Sequence, residues 1–163
     1  MTPVVTPARR SRDNIQIMKL KLAAAVIVSL WGVGILQVTR AEQPSSTWGG
    51  VFTEEQAKTG QASYAKNCSE CHGEDLAGDG FAPSLKGPEF MNNWNGLTVA
   101  ELFDRIRISM PPSNPNSVTA KDKADIVGYL LKQNGFPAGK TELPSAADAL
   151  KSIKFEATKP GSR

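Results

Sequence analysis

Residues 67–78 read NCSECHGEDLAG. Cys68 and Cys71 are the only cysteines of a 163-residue chain, and His72, directly after them, is its only histidine. Three chemistries use such a cluster. A structural zinc site wants four ligands, commonly two Cys-x-x-Cys pairs or one pair with two distant histidines, so zinc fails on ligand count. A thioredoxin-like dithiol should follow a strand and open a helix in a βαβ setting, whereas the residues before Cys68 carry helical spacing. Covalent haem attachment is the third chemistry, and Cys-x-x-Cys-His is its spacing. Cysteines three apart share one face of a helical turn, so both sulfurs can add to the vinyl groups along one porphyrin edge. The next residue then projects its imidazole toward the iron as proximal ligand. Residues 68–72 therefore read as one cofactor socket.

With one histidine committed, a second axial donor must be another residue type. Outside the leader described below, two methionines remain, Met91 and Met110. Met91 sits within EFMNNW, an apolar-aromatic stretch where core filling is the ordinary role of methionine. Met110 sits at a helix end in a stiff, Pro-flanked loop, and rigid loops hold a weak thioether ligand better than mobile ones. Spacing favours Met110 only modestly and leaves Met91 open.

The elements that must position this socket are helical. Thr53 and Gln56 form a capping-box pattern at the start of TEEQAKTGQASYAKN. Ala57, Gly60, Tyr64, Cys68 and Cys71 follow at helical spacing, so the cysteines are expected to close a first helix. The stretch GEDLAGDGFAPSLKGPEF, rich in Gly and Pro, is expected to be irregular. A second helix runs from Thr98 to about Ser109, with Thr98 and Glu101 as a capping box and Val99, Leu102, Phe103 and Ile106 on one face. Met110-Pro111-Pro112 stops it. A third helix opens at Thr119, buries Ala124, Val127 and Leu131 with Ile126, Tyr129 and Leu130 beside them, and ends at Asn134-Gly135. No segment alternates with period two for long. The predicted fold class is all-α: three main helices and loops around one covalent haem.

The boundaries follow from composition. Residues 1–41 combine a basic lead, the apolar run Leu22 to Val38 and Thr39-Arg40-Ala41, the pattern of a secretory signal cleaved near Ala41. Met18 opens a complete signal start of its own. An uncleaved 22–38 would instead be a membrane tether, although 17 residues is at the short edge of a span. Residues 42–52 read as a linker, 53–137 as the compact domain and 138–163 as a C-terminal tail. In that tail, Ser145 and Asp148 are expected to start a short helix with Ala146, Leu150 and Ile153 on its docking side.

Six of the 19 Lys and Arg and one of the 16 Asp and Glu fall in residues 1–41, which leaves a net charge of −2 on the remainder. The pI near 8.9 thus belongs to the leader and gives no argument for nucleic acid. Asp75 and Asp79 lack the one-three-five spacing of a calcium loop. With Glu70 and Glu74 they form either an acidic rim that steers a basic partner or a solvated turn.

The order AKTGQASYAKNCSECHG, FAPSLKG, LFDRIRISMPP, ADIVGYLLKQNG resembles a class I c-type cytochrome over about residues 50–137. The resemblance implies terminal helices that cross near Gly60 and Tyr129, where a side chain at Gly60 would hold them apart. It implies Met110 as distal ligand. It also implies a Pro83 carbonyl that accepts the proton of the second His72 ring nitrogen, and a Trp94 indole that donates to a haem propionate, against the plainer roles of shaping a turn and packing. The NGFPAG tail is most similar to small cytochromes that accompany pyrroloquinoline-quinone alcohol dehydrogenases. The implied cofactor is one haem c, with Cys68, Cys71, His72, Met110, Pro83 and Trp94 around it.

Two protein ligands on iron leave no position for oxygen or substrate, so the expected task is one-electron transfer rather than catalysis. Leu76, Phe81, Leu85, Leu97 and Ile106 are the candidate apolar walls. The expected partners are redox proteins in the periplasm: a dehydrogenase or other donor, and a downstream acceptor or oxidase. The rivals are a haem subunit held tightly by a quinoprotein dehydrogenase and a haem peroxidase or gas sensor. The chain has no second histidine for a distal base, which counts against a peroxidase.

Overall fold

The structure, a computed structural model, describes residues 45–161; the expected leader, the run 22–38 and the cleavage point near Ala41 lie outside them. Among the described residues no helix is long and apolar enough to cross a membrane. They form six α-helices: α1 (Glu54–Asn67), α2 (Ser69–His72), α3 (Gly87–Trp94), α4 (Val99–Ser109), α5 (Ala120–Gln133) and α6 (Ala147–Leu150). The two short 3-10 turns are Thr47–Gly49 and Pro115–Ser117. No strand occurs among these residues; Lys154 makes isolated bridges to Ser46 and Thr98.

The helix starts are where side-chain oxygens can cap them. Thr53, Thr98 and Thr119 each accept a hydrogen bond from the backbone three residues on. At Thr98 the capping box is complete, because the Glu101 carboxylate also takes the Thr98 N–H at 2.7 Å. At Thr53 it is not. Gln56 turns away from the cap into the interior, where its amide Nε2 donates to Asp125 Oδ1 (3.0 Å) and Leu143 O (2.9 Å), and Oε1 accepts from Leu143 N (2.8 Å). One buried amide thus joins α1, α5 and the C-terminal segment.

The first helix also ends earlier than its periodicity implies. Cys68 leaves helical geometry (φ −131°, ψ −33°), and its carbonyl starts a separate turn by accepting from Cys71 N and His72 N. Within the stretch expected to be irregular, α3 begins at Gly87 with Pro88 in its first turn, a position where proline's missing N–H costs nothing.

The largest helix contact is α1 against α5. It is close enough that a Cβ on Gly60 would lie 1.9 Å from the Asp125 carbonyl oxygen. Ala57 and Tyr64 from α1 are buried with every residue from Lys123 to Leu131 of α5. Tyr64 and Tyr129 stack at a tilt, centroids 5.4 Å apart.

The segments read as linker and tail pack into this same core. Thr47, Val51 and Phe52 are buried at one end, and Leu143, Leu150, Ile153 and Phe155 at the other. The two strips pair through Thr47 N to Lys154 O and Lys154 N to Ser45 O, each 2.9 Å. Trp48, Phe136, Phe155 and Phe90 form a continuous aromatic cluster, each ring within about 6 Å of the next. In the expected tail helix, Leu150 and Ile153 do face inward, but Ala146 rather than Ser145 occupies the N-cap, with no side-chain bond. The apolar residues on both strips had no partner in the primary sequence because each other's rings, far apart in the chain, are the partners.

Gln56→Ala is expected to destabilise the protein by about 3 kcal/mol, since it strands the buried Leu143 N–H and C=O together. Thermal melting combined with limited proteolysis after Gly139 checks it. An unchanged melting point with a protease-resistant C-terminal strip would remove Gln56 from this role.

Candidate functional site

His72 sits at the end of α2, almost fully buried, with its Nδ1 2.9 Å from the Pro83 carbonyl oxygen. A carbonyl can only accept, so Nδ1 carries the hydrogen and Nε2 is the ring nitrogen left to another partner. That is the nitrogen a metal would take. Cys68 is half-buried and Cys71 exposed, and no disulfide joins them. Burial pushes the Cys68 thiol up to about 11, which makes it a poor nucleophile for disulfide exchange.

The loop that carries Pro83 is built to hold its carbonyl at that ring. Gly78 N donates to His72 O at 2.9 Å, and at φ +77° a Cβ on Gly78 would meet the Ala82 carbonyl at 2.3 Å. Asp79 Oδ1 accepts from Phe81 N (2.9 Å) and Ala82 N (2.8 Å), which folds the turn just before Pro83. Those backbone bonds hold its carboxyl below the ordinary range. Asp75 likewise accepts from Ala77 N at 3.1 Å and lies 3.6 Å from Lys86. Two of the four acids of the expected rim are therefore loop-building groups. Tyr64 Oη donates to Gly73 O at 2.7 Å, pinning the residue after the histidine.

Met110 is the C-cap of α4, its N–H donating to Ile106 O at 3.0 Å and its own backbone already extended (φ −127°, ψ 138°). Trp94 ends α3 half-buried, its ring 6.3 Å from that of Phe90. Met91, the other methionine, sits one helical turn before Trp94 and packs on the same core. Of the candidate walls, Leu76 is buried and Leu85 and Ile106 are half-buried, whereas Leu97 is at the surface and Phe81 is wholly exposed.

Residues 55–130 match the family model described as "Cytochrome C oxidase, cbb3-type, subunit III". Over these residues the chain is similar to a c-type cytochrome domain. A curated relative, "Cbb3-type cytochrome c oxidase subunit CcoP" of Rubrivivax gelatinosus, is 28% identical over 79 residues, 48% of this chain. The chain spans about a quarter of that relative's length (26%). No solved structure matches significantly. The matched residues contain the Cys68, Cys71, His72 and Met110 set.

The donor set fits a covalent haem. Two thiols stand three residues apart, the adjacent imidazole has Nε2 for iron, and a thioether lies at a proline-closed helix end. Sequence reasoning missed Tyr64 and Asp79 as supports of this site. A tyrosine within a helix and an aspartate in a glycine-rich turn are common, and only the fold reveals what their oxygens reach.

Proposed function

We propose that this cytochrome carries one haem c, bound through thioethers at Cys68 and Cys71, with His72 and Met110 as axial ligands. It works in the periplasm as a one-electron relay between a dehydrogenase or other donor and a downstream acceptor or oxidase. The observation that carries the reading is the His72 ring, turned by the Pro83 carbonyl so that Nε2 is its free donor. When bound, the haem supplies reversible one-electron exchange at its iron.

The chain's own residues do the rest. Pro83 orients the imidazole and, by accepting its hydrogen, makes it a better donor. Met110, a soft ligand, favours the ferrous state and raises the potential. The indole N–H of Trp94 is the donor for a propionate. The signal-like residues 1–41 support export, and the likeness to an oxidase subunit supports an oxidase among the acceptors. A stable haem subunit of a quinoprotein dehydrogenase is the alternative, and co-purification with a dehydrogenase at high salt would favour it.

Met110→Ala tests the ligand set. The ferric protein is expected to lose the far-red thioether–iron charge-transfer band, and its midpoint is expected to fall by a sizeable part of the roughly 0.8 V that axial ligands span. Met91→Ala should keep the band. If Met110→Ala keeps it and Met91→Ala loses it, the ligand is Met91.

A further inference from the structure

Lys123 is 2% exposed, although lysine is almost never fully buried without a partner. Its Nζ reaches no carboxylate. It donates to two backbone carbonyls, Arg107 O at 3.1 Å and Pro115 O at 2.5 Å. These two residues bracket Met110.

The reason the carbonyls are available lies in the sequence. In a continuing helix Arg107 O would accept from residue 111, but Pro111 has no N–H, so α4 ends with that carbonyl orphaned. Pro115 O belongs to the 3-10 turn that closes the same loop. A neutral side chain of ordinary length offers one or two donors; an ammonium on a four-carbon stem offers three and reaches both sides. The loop's own bonds are short-range: Asn114 N to Pro111 O (3.1 Å), Asn116 N to Asn114 Oδ1 (3.2 Å) and Ser117 Oγ to Asn114 O (2.8 Å). They fold the loop without tying it to the rest of the domain, and the tie to α5 is Lys123.

We propose that Lys123 is a positioning residue for the distal ligand: its buried ammonium clamps both ends of the Met110 loop and holds the thioether in place. The inference rests on Met110 as iron ligand. The ammonium is a buried positive charge against the Met110 loop. A positive charge there opposes the extra charge of ferric iron and raises the potential. Burial, with the Arg107 guanidinium second, lowers the lysine pKa, which marks the cost of keeping a cation here.

The test uses haem-loaded Lys123→Met, nearly isosteric but without charge or donors, and imidazole as the competing ligand. Two charge-assisted bonds hold the loop, so their loss is expected to tighten imidazole binding to the ferric protein by about tenfold or more. The midpoint potential should fall while the charge-transfer band persists in the absence of imidazole. Lys123→Arg, which keeps charge and donors, should restore both values toward wild type. If Lys123→Met only melts earlier, with imidazole affinity and midpoint unchanged, the residue is a fold staple and the proposal is overturned. Should that variant fail to accumulate, Lys123→Gln is measured in its place, with the same two readouts and the same overturning result. Failure of both alongside a wild-type-like Lys123→Arg would also assign the residue to folding alone. The parent reading fails separately, by a wild-type spectrum that lacks the band.

Discussion

Gly60→Ala is expected to destabilise the protein by about 3 kcal/mol or more, beyond the ordinary cost of an inserted methyl group. The added Cβ would sit 1.9 Å from the Asp125 carbonyl oxygen and 2.4 Å from its carbon. Both are backbone atoms in the middle of α5, so no side chain can swing aside. The helices must separate, and the buried Ala57 and the Tyr64–Tyr129 pair lose contact along the seam. At roughly 4 °C per kcal/mol for a domain of this size, the melting point should drop by more than about 10 °C. Gly128→Ala is the matched control. Its Cβ would meet Phe52 Cβ at 3.4 Å, ordinary contact, and alanine is the better helix former, so little change or a small gain is expected. Equal melting points for the two variants would mean the α1–α5 seam is looser than its geometry.

The second large effect is chemical. Cys68→Ala with Cys71→Ala should abolish all haem that survives denaturation, because no other thiol exists in the chain to form a thioether. Either single replacement leaves one sulfur and should leave weaker staining. Haem staining on a denaturing gel and intact mass read the outcome directly, and the mass of the wild-type protein also counts the haems. The alternative of a dithiol oxidoreductase predicts no staining in any form and loss of thiol exchange in each single variant. Staining of the double variant at wild-type strength would disprove covalent attachment.

The two experiments address different layers. Gly60 lies in the scaffold and should alter stability while the spectrum of the surviving folded protein stays the same. The cysteines lie in the socket and should remove the cofactor. Met110 and Lys123 fall between, expected to change potential and ligand exchange in a protein that keeps its haem.

Much of this was legible in the primary sequence, for a local reason. The Cys-x-x-Cys-His spacing, the caps at Thr53, Thr98 and Thr119, and the proline stop after Met110 are short-range signals whose physics is complete within a few residues. The all-α class followed from them. What failed were inferences that extended a local pattern beyond its partners. Helical spacing ran Cys68 and Cys71 into the first helix, but the carbonyl of Cys68 begins a new turn instead. The Thr53–Gln56 pair had the form of a capping box, but a deeper burial site took the glutamine.

Tertiary structure alone decided the rest. The strips on either side of the helices looked like linker and tail because neither shows a period of its own. They enclose the core through rings from residues 48, 90, 136 and 155, which meet only when the chain is folded. Lys123 is one charge in an amphipathic helix by its sequence; in the fold it meets two carbonyls, 16 and eight residues earlier, the first of which Pro111 left without its helical donor. A sequence records which groups are short of partners nearby. Which distant group supplies the missing hydrogen bond or ring is a property of the packed chain.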